Sequence, residues 1–162
     1  LERLEETIRL ARRYENRRAI LYMDLDKFKK VNDLHGHEIG DKLLLEVSRR
    51  LKKILRDTDY ISRLGGDEFT IILGNSTGLH PEKVARRIIE TLSKPYRLSG
   101  TSIGFVTPSI GIGIYPDDGR DVETLLKHAD EAMYKAKEKG RAYVRYGNVL
   151  YHPSVTVARE HS

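Results

Sequence analysis

The sequence contains no cysteine among its 162 residues. A chain without cysteine forms no disulfide framework, offers no thiolate to a metal and has no cysteine nucleophile. This absence fits a reducing cytoplasm, where we expect the chain to work. No apolar run approaches the roughly 20 residues that span a bilayer, and we find no signal peptide, repeat or low-complexity segment. The pattern at Leu1 is that of a helix already under way, so we expect a fragment of a longer protein.

Charge and length set further bounds. Lysine and arginine number 29 against 24 aspartates and glutamates, a moderately basic balance. Such a balance favours an anionic ligand but does not separate a nucleotide from a nucleic acid. A chain of 162 residues is long enough for one domain with its own core.

Two adjacent glycines mark the most informative stretch of the chain. Gly65-Gly66 separates β-like runs at 60–64 and 69–73, and Asp67-Glu68 follows at once. Glycine accepts positive φ, so this pattern predicts a tight hairpin with two acids at its rim. Oxygen ligands of this kind suit magnesium, which in turn suits a triphosphate. A solvated acidic hairpin tip is the alternative.

A second acidic position follows a run typical of a buried strand. Residues 19–25 are almost continuously apolar, and Asp24 lies at the C-terminal end of that run. A carboxylate at the end of a buried strand needs a partner or a metal. If this strand and the hairpin are neighbours, Asp24 and Asp67-Glu68 converge on one site. For Asp26, the next acid along, we prefer the role of capping the helix that follows.

Strands alternate with helices along the chain, which predicts an α/β sandwich with a mixed sheet. Pro108 lies inside the run Val106 to Tyr115 and favours an edge position or a bulge for that strand. The remaining predicted elements are a helix over the first eleven residues, helices at 26–34, 38–55 and 121–139, a helix that begins at Pro81, a small hairpin at 96–98 and 102–105, and a strand at 142–146. Residues 75–80 are predicted as a loop.

Several stretches in one order resemble the GGDEF family, the bacterial diguanylate cyclases. They are Gly65 to Phe69, Asp24 to Lys29, Asn32-Asp33, Gly36 to Asp41, Ser109 to Gly111, Ala129-Asp130 with Ala132 to Lys137, and Gly140-Arg141. The resemblance covers about residues 1–146 and leaves a tail at 147–162 without a role. It implies an α/β fold with a mixed five-stranded sheet flanked by helices, related to nucleotide-cyclase and polymerase palm domains. Ala142 stands where the family usually has asparagine, which at most removes a polar cap.

The resemblance implies an enzyme that condenses two GTP molecules into cyclic di-GMP and two pyrophosphates. Asp24, Asp67 and the carbonyl of Leu25 would hold Mg²⁺ or Mn²⁺, with Glu68 completing the acidic cluster. Asp67 matches the family position that binds the metal and accepts the proton. The division of roles between Asp67 and Glu68 stays open. Lys29 would stabilise phosphate charge in the catalytic step.

Further residues match family positions that bind GTP. Lys137 and Arg141 would reach the β- and γ-phosphates, although alone they are ordinary cations at a helix C-terminus. Asn32 and Asp41 would read guanine, because a carboxylate accepts from N1 and N2 and an amide serves the neighbouring acceptor. Taken alone, both are common near helix ends. The resemblance also places Phe28 and His37 beside the substrate.

Arg56 and Asp59 form an Arg-x-x-Asp pattern that five residues separate from Gly65. In the family this spacing marks an inhibitory site for cyclic di-GMP, and Arg87 matches a second arginine of that site. Arginine pairs with guanine O6 and N7, and aspartate accepts from N1 and N2. A surface ion pair between Arg56 and Asp59 is the alternative.

The family chemistry needs two bound GTP molecules face to face, so we expect a homodimer that meets through its active-site faces. The segment that couples a sensory domain to this one would precede the chain, and the parent protein is either cytoplasmic or membrane-anchored. Two other classes are considered. A cyclic di-GMP sensor need not keep the acids, and a nucleic-acid binder would not explain them.

Overall fold

The computed structural model describes residues 2–14, 16–74, 80–147 and 150–153. Nearly all of the predicted loop at 75–80, and most of the predicted tail, lie outside the described residues. The elements of the described part, in chain order, are α1 (Glu2–Arg13), β1 (Arg18–Asp26), α2 (Phe28–His35), α3 (His37–Ile54), β2 (Tyr60–Gly65), β3 (Glu68–Leu73), α4 (Pro81–Leu92), β4 (Tyr96–Leu98), β5 (Thr101–Ile103), β6 (Thr107–Tyr115), α5 (Val122–Lys139), β7 (Ala142–Arg145) and β8 (Leu150–Tyr151).

The main sheet is mixed and has the strand order β2-β3-β1-β6-β7-β8. All its pairs are antiparallel except β6 with β7. Its first five strands in that order are those that the sequence predicts, so the expected fold is confirmed. The two-residue β8 falls within the segment predicted as a tail and extends the sheet. Strands β4 and β5 form a separate hairpin, also as predicted.

Strand β1 lies at the centre of the sheet and is buried on both faces, which explains its continuous apolar run. Its odd-numbered residues, such as Leu21 and Met23, pack in the core that α2, α3 and α4 share. Ile20 packs on the opposite face with α1 and α5. Because side chains alternate along a strand, Asp24 and Asp26 are placed on the α5 face.

Strand β6 corrects one prediction, because Pro108 lies in a central strand and not at an edge or a bulge. Leu25, its partner on β1, directs its N–H to the hairpin on the other side. The pair is therefore a non-hydrogen-bonded one, and the backbone of Pro108 points away from β1. On that far side the pairing with β7 begins only at Ser109. The missing N–H of proline thus leaves no bond of the sheet unmade.

Within the described residues, no helix combines the length and the apolar character that a membrane crossing requires.

Candidate active site and a second cavity

The predicted convergence of the acidic residues is present, because β1 and the glycine hairpin are neighbours. Asp24 pairs with Glu68 across β1 and β3, and the N–H of Leu25 donates to the carbonyl of Asp67 at 3.3 Å. Gly66 has a φ of +53°, a left-handed conformation that glycine adopts without steric cost. The hairpin therefore places its two acids beside the end of the central strand.

Asp24 is the most enclosed acid of the site, with only 5% of its surface exposed. Its Oδ2 accepts a hydrogen bond from the ammonium of Lys137, which reaches across from α5. Its Oδ1 is buried and accepts no hydrogen bond from any described residue. A buried carboxylate oxygen without a donor is costly, so this atom is suited to an external cation.

The two hairpin acids hold their protons more tightly than usual. Burial raises the pKa of Asp67 to about 6, with further contributions from a hydrogen bond to Asp24 and from its negative charge. Burial and the charge of Asp24 likewise raise the pKa of Glu68. Partial burial lowers the pKa of Lys137, but the hydrogen bond and charge of Asp24 outweigh it, so the net shift is upward. The site thus holds an excess of negative charge that one lysine only partly compensates.

These donors fit a magnesium ion that also binds a nucleotide. No group of three or more histidine, aspartate or glutamate side chains within the described ranges is arranged to hold a metal. Magnesium, however, is usually held by one or two carboxylates together with substrate phosphates and water. Asp24 and Asp67 supply two carboxylates. The carbonyl of Leu25 points towards the same hairpin, because an antiparallel residue directs its N–H and C=O to one neighbour.

Asp26 does not cap α2, which corrects the preferred prediction for this residue. The N-cap of α2 is Lys27, in a left-handed conformation and without a side-chain cap bond. Asp26 is buried and accepts three hydrogen bonds, from Thr107 Oγ1 at 2.7 Å, Ser109 Oγ at 2.6 Å and the backbone N–H of Arg141 at 2.9 Å. It therefore joins β1, β6 and the turn between α5 and β7.

Lys137 and Arg141 flank the end of α5 on the same side of the sheet as Asp24. Helix α5 ends at Gly140, and Arg141 follows with a φ of +48°. The side chain of Arg141 is exposed, whereas Lys137 contacts Asp24. The structure therefore places the Lys137 ammonium at Asp24 and the backbone of Arg141 at Asp26, both at the end of β1.

The predicted guanine-reading residues lie on α2 and α3. Asn32 is half-buried on α2, and its Oδ1 lies against Gly40 of α3. The next residue of α3 is Asp41, which is exposed, so the Asn32 amide lies against the same helical turn that carries Asp41. The other predicted substrate residues are the buried Phe28, the exposed Lys29 and the exposed His37, which is the first residue of α3.

Sequence reasoning gave no role to two further residues near the acids. Oδ1 of Asp130 on α5 is buried and accepts no hydrogen bond from the described residues. Burial raises the pKa of Asp130, followed by the charge of Asp24. Burial also raises the pKa of Tyr22 to about 12, with a second contribution from Glu68. Asp130 lies in a stretch that resembles the family, Ala129-Asp130, but the resemblance gave it no role.

A second cavity, of about 500 Å³, lies at the start of β2 and is lined by Arg56, Asp59 and Arg87. The alternative for these residues, an ion pair between Arg56 and Asp59, is not formed in this described segment. Asp59 instead accepts from the backbone N–H groups of Arg56 and Gly74, each at 2.9 Å. Arg56 and Arg87 are both exposed residues. The structure therefore brings the three predicted inhibitory-site residues to one cavity, separated from the acids by the length of β2.

The family model described as "Diguanylate cyclase, GGDEF domain" matches residues 1–143. The chain therefore belongs to the GGDEF-domain family of diguanylate cyclases.

Relatives and solved structures agree with this assignment. The chain is 43% identical over 140 residues to the bifunctional diguanylate cyclase/cyclic di-GMP phosphodiesterase MucR of Pseudomonas aeruginosa, covering 86% of this chain and 20% of MucR. It is 38% identical over 140 residues to the diguanylate cyclase TpbB of the same species, covering 86% of this chain and 32% of TpbB. The chain thus spans a fifth to a third of these relatives. The crystal structure of the TpbB GGDEF domain matches with a TM-score of 0.85 at 34% identity, covering 91% of this chain and 93% of that one.

Proposed function

We propose that this domain is a diguanylate cyclase, which condenses two GTP molecules into cyclic di-GMP and releases two pyrophosphates. The observation that carries the proposal is the environment of Asp24. Its buried Oδ1 accepts no hydrogen bond from the described residues, and it lies beside Asp67, Glu68 and Lys137. Such a carboxylate is poorly explained as part of a folding core and well explained as a cation ligand.

The chemistry is a pair of in-line attacks, in which the 3′-hydroxyl of each GTP attacks the α-phosphate of the other and each attack releases one pyrophosphate. A divalent ion held by Asp24, Asp67 and the Leu25 carbonyl would neutralise charge on the triphosphate and favour ionisation of the attacking hydroxyl. Glu68 completes the acidic cluster, and one of the two hairpin acids accepts the proton. The pyrophosphate leaving group departs with its negative charge stabilised by the neighbouring cations.

Three cations of the chain would orient the phosphates. Lys137 would reach the β- and γ-phosphates from its place beside Asp24, and Arg141 would reach the same groups from the turn after α5. Lys29, exposed in the first turn of α2, approaches the transferred phosphate. Compact ammonium groups suit this role, because they can follow a charge that moves during the reaction.

Base selection would rest on α2 and α3. The Asp41 carboxylate accepts from N1–H and N2–H₂ of guanine, and the Asn32 amide serves a neighbouring acceptor. Phe28 and His37 border the nucleotide. Adenine lacks the donor pattern that Asp41 accepts, so GTP is the expected substrate.

One chain supplies one GTP site, so a second copy is needed to make a cyclic dinucleotide. We propose that two domains meet through their active-site faces with twofold symmetry. The cavity lined by Arg56, Asp59 and Arg87 would bind cyclic di-GMP and restrain the enzyme. A product bound there would not overlap GTP, because β2 separates the two sites.

The same cavity supports a second candidate, a sensor that binds cyclic di-GMP without making it. The relative MucR is named for a cyclase and a phosphodiesterase activity, so its name alone does not assign a reaction to this chain. A pure sensor, however, has no need of Asp24, Asp67, Asn32 and Asp41 in one site.

Turnover of GTP by the wild-type chain and by Asp67→Ala separates the two candidates. The cyclase predicts product with the wild type, none with Asp67→Ala, and unchanged product with Glu138→Ala, a matched loss of one exposed carboxylate on α5. Circular dichroism checks that each variant is folded. Equal turnover by Asp67→Ala and the wild type would refute the metal-ligand role. Absence of turnover from all three chains, with tight binding of cyclic di-GMP, would favour the sensor.

A further inference from the structure

Gly40 is a glycine inside a helix, although its backbone does not require glycine. It is the fourth residue of α3, and it is not among the residues with positive φ. Its N–H donates to the carbonyl of Gly36 at 3.2 Å, as an ordinary helical residue would. Glycine is one of the poorest helix formers, and alanine is the best. The reason for glycine at this position must therefore lie outside the helix itself.

A neighbouring side chain occupies the space where a Cβ of residue 40 would lie. A Cβ built on Gly40 would be 1.9 Å from Oδ1 of Asn32, 3.1 Å from its Cγ and 3.3 Å from Cζ of Phe28. Gly40 itself is buried. An alanine methyl would thus displace the end of the Asn32 side chain and press on the Phe28 ring, while the backbone of α3 could stay in place.

The amide of Asn32 gains no hydrogen bond at this place from the rest of the described chain. Its Oδ1 is buried there and accepts none. A buried amide oxygen without a partner is unfavourable, so folding energy alone does not account for this position. What the position does achieve is to place the amide against Gly40, the residue that precedes Asp41 on the neighbouring helix.

We propose that Gly40 is a positioning residue for guanine selection. Because Gly40 has no Cβ, the Asn32 amide packs directly against its backbone. This contact fixes the position of the amide relative to the Asp41 carboxylate. The inference rests on the proposed function, because it concerns how that GTP site tells guanine from adenine. Gly40 itself touches no substrate and acts through Asn32, with a smaller effect through Phe28.

The first test is a stability cycle of Gly40→Ala, Asn32→Ala and the double variant, measured by thermal unfolding. In the Asn32→Ala background no amide occupies the space beside Gly40. Gly40→Ala should therefore raise the melting temperature, because alanine has the better helix propensity. In the wild-type background, where the new methyl group would displace the amide, Gly40→Ala should raise the melting temperature less or should lower it. The two effects of Gly40→Ala would be equal if Asn32 did not rest on Gly40, and equality would overturn the proposed contact.

The second test measures GTP and ATP affinities by calorimetry, with Ca²⁺ in place of Mg²⁺ to suppress turnover. Gly40→Ala should reduce the preference for GTP at least tenfold, to the level of Asn32→Ala, and leave the affinity for ATP unchanged. Gly104→Ala is the matched control, because a Cβ at that exposed glycine meets no atom within 4 Å.

The outcomes separate this inference from the proposed function. A wild-type preference for GTP that survives in Gly40→Ala would overturn the positioning role and leave the proposed function standing. An equal loss of GTP and ATP affinity would also overturn it, because that result indicates general damage to the site. A wild-type chain that binds both nucleotides equally would overturn the proposed function and this inference together.

Discussion

The backbone N–H of Arg141 donates a hydrogen bond of 2.9 Å to Oδ2 of Asp26, and this bond ties the end of β1 to the turn after α5. Arg141 has a positive φ of 48°, a conformation that costs energy for a residue with a side chain. Asp26 therefore holds in place a turn that would otherwise relax. Of the two proposed phosphate-binding residues, Arg141 lies in that turn and Lys137 lies in the last turn of α5 before it.

Removal of the Asp26 carboxylate should loosen this turn. Asp26→Ala leaves the N–H of Arg141 without its acceptor, so we expect the free energy of unfolding to fall by roughly 1–3 kcal/mol. The affinity for GTP should fall more than the affinity for guanosine, because only GTP has the phosphates. Urea denaturation and calorimetry measure the two effects. Thr107→Val is the control, since it removes one donor to Asp26 and keeps the bond from Arg141; a similar loss of GTP affinity in this variant would argue against the role of the turn.

Asp41→Ser should weaken the preference for GTP over ATP by roughly 1–3 kcal/mol, the size of one bidentate base contact. Asp41 is exposed, so its replacement should leave stability almost unchanged. Competition between GTP and ATP in one reaction mixture gives the ratio of their turnover directly. Asp33→Ser, a change of an exposed aspartate on α2, serves as the control. An unchanged ratio in Asp41→Ser would show that this carboxylate does not read the base.

Arg56→Ala should weaken binding of cyclic di-GMP by roughly 2–5 kcal/mol, because it removes one partner of a charged hydrogen-bonded contact. Turnover at saturating GTP should persist, since the cavity lies at the far end of β2. Calorimetric titration of cyclic di-GMP measures the loss. Arg63→Ala removes an exposed arginine of β2 outside the cavity and should bind product normally. Identical affinities for wild type and Arg56→Ala would exclude the proposed inhibitory site.

Helix α3, which holds Gly40 and Asp41, is anchored further along by charged residues. Arg50 donates to the carbonyls of Thr91, Lys94 and Pro95 at 2.8–3.0 Å and to Oε2 of Glu46 at 3.0 Å. Hydrogen bonds from Arg49 lower the pKa of Glu46 to about 2 from 4.5; burial opposes this shift, and Arg50 adds to it.

This lowered pKa predicts a stability that depends on pH. The folded state binds the Glu46 proton more weakly than the unfolded state does, so the ionised carboxylate stabilises the fold above pH 4.5, and this contribution is lost as the pH falls towards 2. Glu46→Gln should therefore be less stable than wild type at neutral pH, with a gap that narrows in acid. Urea denaturation between pH 2 and neutral pH measures this difference in stability. Glu38→Gln is the control, because the Glu38 side chain is highly exposed and its replacement should leave stability unchanged at every pH. A gap independent of pH would point to packing as the cause.

Local patterns predicted the strands, the helices and the glycine hairpin, because each rests on periodicity or on turn chemistry within a few residues. The convergence of Asp24 with Asp67 was also predictable once the buried strand and the hairpin were assumed to be neighbours. The partners of Asp26 were not, since they lie 81, 83 and 115 residues away along the chain. Only the side-chain alternation of β1 and the order of the strands bring them together.

Two other features also depend on contacts between distant parts of the chain and could not be predicted from local patterns. Pro108 indicated an edge strand, but the tolerance of a central strand for proline depends on where the neighbouring strand begins. Gly40 gave no local signal beyond a helix-breaking residue inside a helix. Its reason is a contact with Asn32 on another helix, which only the structure shows.

The proposed cyclase is tested most directly by incubation of the chain with GTP and Mg²⁺ over a range of enzyme concentrations, with the products separated by chromatography. We expect cyclic di-GMP with two pyrophosphates for each molecule formed, and a specific activity that rises with enzyme concentration because two copies must meet. A chain that forms no cyclic di-GMP even at the highest concentration would contradict the cyclase assignment. A specific activity that stays constant down to nanomolar enzyme, with a monomer in sedimentation, would contradict the paired active site.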